Sequence, residues 1–262
     1  MQRRSIRPWL TKWYVDCTTR GGDCLLGYAG TVRLGPIRLS VTSALVGHAS
    51  GETSQRWRVM DGTRPETAGT GELEWNARRL GLRGIWTPDS EPVHRVLHES
   101  EAVRITWDCA VPSGRARVRY GETELEGPGY AERLSVAGDP ATLGLRELLW
   151  GHFSGPSSNL VWLVWKGEEP ITLVLRNGEE VQGAKVPAVD GLIAGGQRLA
   201  LGAGRVLRSA VVADTVPLAL KLLVPASLRR IREEKWIAPG RLGNGLDWPE
   251  EGWAVYERVT WP

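Results

Sequence analysis

The chain has 262 residues, of which 42% are hydrophobic and 24% charged, and a formal net charge of +3. That composition belongs to a globular protein with room for one large or two ordinary cores. It excludes a disordered chain and a strongly basic nucleic-acid binder.

Met1-Gln2-Arg3-Arg4 opens like a signal peptide, but Trp9-Leu10-Thr11-Lys12-Trp13-Tyr14-Val15-Asp16 contains no apolar h-region. No window approaches the roughly 20 apolar residues that span a bilayer. Short apolar runs follow at Cys24–Thr31, Ile37–Val46 and Arg115–Tyr120. In the last of these arginines alternate with small or apolar residues, as on a half-wet strand. Tyr120-Gly121-Glu122 reads as a turn. Asp139 and Pro140 suit the N-cap and first turn of a short helix running through Leu145–Leu149. Strands are then expected at Leu160–Trp165 and Ile171–Leu175, with Asn177-Gly178 as a tight hairpin leading into Val181–Val186. Leu199–Leu201, Val206–Val212, Val216–Val224 and Trp253–Trp261 continue the strand pattern, and Ala226–Trp236 is a second candidate helix. Strands at this spacing, divided by 32 glycines and 16 prolines, predict an all-β chain of sandwich or barrel type with one or two short helices. Two halves, 1–126 and 127–262, meet near Gly127-Pro128-Gly129, without a clean sequence repeat.

Lys12, Lys166, Lys185, Lys221 and Lys235 are the only lysines, and arginine supplies the rest of the 33 basic residues. The arginine runs at Arg115–Arg119 and Arg229–Arg232 lead into Glu122, Glu124, Glu233 and Glu234, so no basic stripe persists and nucleic acid is not an expected partner. Thirteen tryptophans stand against one phenylalanine, so most of the indoles must serve as core. Cys17, Cys24 and Cys109 are odd in number and lack C-x-x-C spacing or a nearby histidine pair. This argues against a disulfide framework and a zinc site and fits a reducing, cytoplasmic location. Ser154, Ser157 and Ser158 lack the nucleophile-elbow pattern. Gly195-Gly196 and Gly202-x-Gly204 lack the strand-then-helix setting of a phosphate loop and read as hairpin turns. No cofactor and no metal are expected.

What remains is a set of aromatics and carboxylates. Tyr130-Ala131-Glu132 follows Gly127-Pro128-Gly129, Trp107 precedes it, and Trp150-Gly151-His152 comes after. Glu132 is the first candidate proton donor, its bland alternative being an ion pair with Arg133 or Arg146. Tyr130 either orients Glu132 or is an interface tyrosine, and Trp107 is core or pocket wall. Gly127 and Gly129 permit a bulge or a close backbone approach between the halves. Asp16, after Trp13 and Tyr14, is a second carboxylate, for water activation or for a strand-end hydrogen bond. His152 is the one histidine near the motif, for catalysis or for structure. Trp162 and Trp165 fall on opposite faces of one strand because their spacing is odd.

Gly127-Pro128-Gly129-Tyr130-Ala131-Glu132 with Leu148-Leu149-Trp150-Gly151 resembles the signature of the hydroxyneurosporene synthase family, the carotenoid 1,2-hydratases and their AttH-like relatives. Trp107 with Pro112, Trp13-Tyr14-Val15-Asp16 and Gly252-Trp253-Ala254-Val255-Tyr256-Glu257 are similar to further family segments, spread over nearly the whole chain. The resemblance implies two lipocalin-like, calycin-type β-domains packed side by side with a ligand cavity at or near their junction. It also implies water addition across a terminal isoprenoid double bond without a cofactor. Fungal relatives on that architecture catalyse cofactor-free Diels–Alder cyclisations. Ile105 stands where the family has histidine, and Glu132 where it has aspartate.

The expected function is acid-catalysed hydration of an apolar, isoprenoid-type alkene. Glu132, Tyr130, Asp16 and His152 are its catalytic candidates, and Trp107, Trp150, Trp13, Tyr14, Trp162 and Trp165 its substrate-binding candidates. A cyclase on the same cavity and a non-catalytic binder of apolar ligands are the rivals. Oligomeric state is open, and no amphipathic anchor marks the peripheral membrane contact that so apolar a substrate would allow.

Overall fold

The computed structural model describes residues 9–34, 36–138, 143–188, 191–215, 229–244 and 247–262. The protein is all-β and divides into two compact units, each a curled antiparallel half-barrel of lipocalin-like type. The first contains β1 (Leu10–Thr18), β2 (Cys24–Leu34), β3 (Ile37–Gly47), β4 (Thr53–Val59), β5 (Glu66–Thr67), β6 (Leu73–Ala77), β7 (Leu82–Pro88), β8 (Val93–Glu99), β9 (Arg104–Val111), β10 (Gly114–Tyr120) and β11 (Thr123–Ala137). The second contains β12 (Glu147–Ser154), β13 (Asn159–Lys166), β14 (Ile171–Arg176), β15 (Glu179–Glu180), β16 (Lys185–Ala188), β17 (Gly191–Ala194), β18 (Gln197–Leu201), β19 (Arg205–Val211), β20 (Arg232–Gly243) and β21 (Glu250–Thr260). The four-residue α1 (Val212–Thr215) is the only α-helix among the described residues.

Both sheets close by the same rule. The first strand of each unit pairs antiparallel with its last, β1 with β11 and β12 with β21. The predicted boundary at 126/127 therefore falls inside β11, a strand whose partners β1, β9 and β10 all belong to the first unit. The pairs Tyr14–Asp16 and Tyr130–Glu132 both belong to the first unit. They lie on neighbouring strands of one sheet.

Tryptophan does the work that phenylalanine does elsewhere. Trp75 and Trp86 are 1% and 0% exposed in the first core, packed with Val15, Leu25, Leu82 and Val118. Trp162 takes that place in the second core beside Phe153 and Val174. Each indole sits against a glycine: a Cβ on Gly27 would come within 2.6 Å of Trp75, one on Gly84 within 2.5 Å of Trp86, and one on Gly151 within 2.3 Å of Trp162. Gly127 does permit a close backbone approach, a Cβ there falling 2.0 Å from the Thr18 carbonyl, but that contact lies within the first unit. As expected, Trp162 faces the core while Trp165 stands on the other face of β13.

The hairpin at Asn177-Gly178 forms as predicted, with both residues at positive φ and Arg176 paired with Glu179. Both predicted helices fail where the chain is described. Leu148 and Leu149 belong to β12, the central strand between β13 and β21, whose residues Leu149–Phe153 are all buried. Arg232–Trp236 begins β20, where Lys235 pairs with Glu257 and Trp236 with Tyr256. In both places strand pairing overrides a weak local helical signal. Asp139, Pro140, Val216–Val224 and Ala226–Leu228 lie outside the described residues.

Candidate active site

In the β1–β11 ladder Tyr14 is opposite Glu132, and Asp16 is opposite Tyr130. Alternate residues of a strand share a face. These four side chains therefore project together, away from the core built on Val15, Cys17 and Ala131. The row continues across the sheet to Tyr28 of β2, opposite Tyr14, and to Cys109 of β9, opposite Glu132. Next to Glu132 β9 carries one extra residue: Val111 pairs with Ala131 while Cys109 pairs with Glu132, leaving Ala110 as a bulge. The bulge places Cys109 and Trp107 on the Glu132 face and Val111 in the core.

This second face is buried too. Asp16 is 0% exposed, Tyr130 and Trp107 1% each, and Tyr14 2%, while Glu132 is half-buried. The Tyr14 hydroxyl donates to Asp16 Oδ2 at 2.6 Å. The Tyr130 hydroxyl donates to Glu132 Oε2 at 2.7 Å, and the Trp107 indole N–H donates to the same oxygen at 2.5 Å. The rings of Tyr14 and Tyr130 lie 6.1 Å apart, and Tyr28 meets Tyr14 edge-on at 5.3 Å. Two tyrosine–carboxylate pairs thus run in opposite directions on adjacent strands, with an indole completing the grip on the glutamate.

Burial pushes the Tyr130 hydroxyl well above the ordinary phenol value, and Cys109 and Glu132 beside it add to the shift. Tyr130 is therefore a hydrogen-bond donor that keeps its proton. Burial likewise raises the Cys109 thiol well above its usual range, a hydrogen bond shared with Tyr130 opposing and the nearby Glu132 and Asp16 adding. A thiol held protonated is a poor nucleophile. Cys109 and Tyr28 were not singled out in the sequence. Their only signal was strand register, which places each directly opposite a predicted site residue.

Of the two arginines weighed as ion-pair partners of Glu132, Arg133 is engaged elsewhere. Arg133 points to the other face, where its Nε and Nη2 donate to Asp108 Oδ2 at 3.0 and 2.8 Å, and its guanidinium lies 5.5 Å from the Trp13 ring centre. That inner face borders a cavity of about 640 Å³ within the first unit, lined by Trp13, Ala29, Arg33, Arg38, Leu73 and Arg133 among others. Trp13 and Tyr14, neighbours in sequence, thus serve different faces. Trp13 lines the cavity, and Tyr14 joins the carboxylate cluster.

His152, Trp150, Trp162 and Trp165 belong to the second unit. His152 is 4% exposed and meets Trp150 edge-on at 5.9 Å. The Lys235 ammonium lies 5.1 Å from the Trp150 ring centre, is 1% exposed, and pairs with Glu257 and, at 3.9 Å, with Glu233. Glu233 is in turn bound by Arg208. Removing one partner from a set of charges buried in this way would leave the others uncompensated. Among the described residues, no group of three His, Cys, Asp or Glu side chains is arranged to hold a metal ion, and no helix is long and apolar enough to cross a membrane.

No protein-family model matches the sequence, and no curated protein sequence does. Solved structures do. A protein from Nitrosomonas europaea assigned as AttH superposes with a TM-score of 0.60 at 9% identity, over 98% of this chain and 93% of that one. CghA with Sch210972 gives a TM-score of 0.56 at 8% identity, over 96% of this chain and 88% of that one. Kievitone hydratase from Nectria haematococca gives 0.54 at 10% identity, over 97% and 89%. At such identities the likeness is one of architecture, and it runs the length of the chain: the protein has the two-domain lipocalin-like fold of AttH, CghA and kievitone hydratase.

Proposed function

We propose that this protein is a cofactor-independent enzyme that adds water across a carbon–carbon double bond of an apolar, isoprenoid-type small molecule, with Glu132 as the group that moves the proton. The observation that carries this reading is the grip on Glu132: two donors, one an indole that never titrates and one a phenol that keeps its proton, converge on a single carboxylate oxygen. In this reading the proton delivered to the substrate is one carried by the Glu132 carboxyl group. Its transfer to the less substituted alkene carbon would generate a tertiary cation, which the neighbouring π-faces of Trp107 and Tyr130 stabilise by about 0.5–2 kcal/mol each. Water then bonds to the cationic carbon, and its surplus proton returns to the Glu132 carboxylate. The sum is alkene plus water giving a tertiary alcohol, with the enzyme unchanged. Asp16, fully buried and bound by Tyr14, positions that tyrosine and does not meet water. Kievitone hydratase, a hydratase by name, lends the same fold to this reading.

The test is incubation of the purified chain with an acyclic carotenoid in ¹⁸O-water, followed by mass spectrometry. A labelled tertiary alcohol is the expected product, with Glu132→Gln lowering its rate by on the order of 10²–10⁴-fold while substrate uptake persists. Binding with no chemistry between about pH 5 and 8 would overturn the reading in favour of a carrier, the range in which a carboxylic acid–base pair should operate.

A further inference from the structure

The cavity on the inner face of the first sheet has no part in the chemistry proposed for Glu132, which lies on the opposite face of β1, β9 and β11. Arg33 and Arg38 are direct partners in the β2–β3 ladder, and both line this cavity. Like charges placed directly opposite each other destabilise a sheet. Among the described residues no carboxylate pairs with either one. The acids nearby are already committed: Asp108 holds Arg133 and His94, Asp61 accepts from Thr42 at 3.1 Å and from the Thr63 hydroxyl at 2.8 Å, and Glu66 faces Arg64 at 3.6 Å. Two guanidinium forks are left at the rim of a hollow whose wall includes Trp13, Ala29 and Leu73. At about 640 Å³ it falls within the usual range for small-molecule sites, roughly 300–1,000 Å³.

We infer that this cavity is a second binding site, for a small organic oxyanion whose charged group rests between Arg33 and Arg38 and whose apolar body lies against Trp13, Ala29 and Leu73. Guanidinium forks match carboxylate and phosphate geometry bidentately, so a carboxylic acid and a phosphate ester are the two sources of that chemistry. A bound anion removes the repulsion between the two arginines, which makes the empty cavity the less stable state. Asp108 and Arg133 fix the far wall, and Asp61 pins the chain that follows β4 through Thr42 and Thr63.

Calorimetric titration of the full chain with 2-naphthoate, 2-naphthyl phosphate and neutral 2-naphthol tests the inference. One or both anions should bind with 1:1 stoichiometry and at least about tenfold more tightly than 2-naphthol, and whichever anion is tighter identifies the source. Arg33→Gln and Arg38→Gln should each weaken the anion by about tenfold, a loss equivalent to one charged hydrogen-bonding partner, while Arg83→Gln, an exposed change outside the cavity, leaves it unchanged. Equal affinity for 2-naphthol, indifference to both arginine substitutions, or no binding of either anion at millimolar concentration overturns the inference. Glu132→Gln should leave anion binding intact, which separates this site from the proposed hydration chemistry: loss of binding in that variant would mean that the two are not distinct sites.

Discussion

Asp16 of β1 stands directly across the ladder from Tyr130 of β11, each within reach of the other strand's tyrosine–carboxylate pair. Two acids and two phenols are thereby ordered by backbone register alone. The arrangement makes separate demands on stability and on chemistry, and substitutions can pull them apart.

Tyr14→Phe removes the donor to Asp16 Oδ2 in a wholly buried setting. It should lower unfolding free energy by about 1–3 kcal/mol, read by urea denaturation. Glu132→Gln should be milder, since Glu132 is half-buried and its amide oxygen still accepts from Trp107 and Tyr130.

Trp107→Phe and Tyr130→Phe each delete one donor to the same Glu132 oxygen. Their effects on stability should not add. A double-mutant cycle is expected to give an interaction energy of about 0.5–3 kcal/mol, whereas Trp107→Phe combined with Gly151→Ala in the other unit should be additive.

Gly151→Ala places a methyl group about 2.3 Å from the Trp162 ring. Overpacking of this kind costs about 1–3 kcal/mol. Near-ultraviolet circular dichroism should report the disturbed indole, and the thermal midpoint should fall.

The three cysteines are buried, and burial, with Asp16 next in importance, pushes the Cys17 thiol up to about 12. Thiolate is the reactive form, so native protein should resist iodoacetamide at pH 8. Labelling of all three should track unfolding in urea.

Burial alone would raise the Asp108 carboxyl, but hydrogen bonds from His94 and Arg133 outweigh it and hold the group below the ordinary value. A carboxylate depressed in the folded state contributes stability above its unfolded value of about 3.9. That contribution disappears as pH falls through the lower folded value. The wild type should therefore exceed Asp108→Asn in stability at neutral pH, and the gap should close in acid below about pH 4; denaturation curves from pH 7 to pH 2 will show it.

The all-β class was legible because strand periodicity and turn chemistry are local. Asn177-Gly178 shows this, since it can do little else than turn a hairpin. Tyr130-Ala131-Glu132 and Tyr14-Val15-Asp16 could each be seen as alternating pairs. That they share a face depends on β1 closing against β11 across more than a hundred residues, which no local pattern encodes. The same non-local pairing makes β11 the last strand of the first unit and draws Leu148 and Leu149 into β12. Trp13 and Tyr14 read as one motif in the sequence, yet period-two geometry sends them to opposite faces. The meeting of Asp108 with His94 and Arg133 was not foreseen, Arg133 having been weighed only as a partner for Glu132, because contact across β8, β9 and β11 is likewise a matter of register.

The extra residue in β9 has a bearing on how such a site can change. Losing Ala110 would restore a regular ladder between Cys109–Val111 and Ala131–Glu132 without turning any side chain to the other face. Only the local bend beside the glutamate would relax, moving the Trp107 indole relative to its acceptor. A single-codon deletion is thus a way to reposition the indole beside Glu132 while the hydrophobic interior stays as it is.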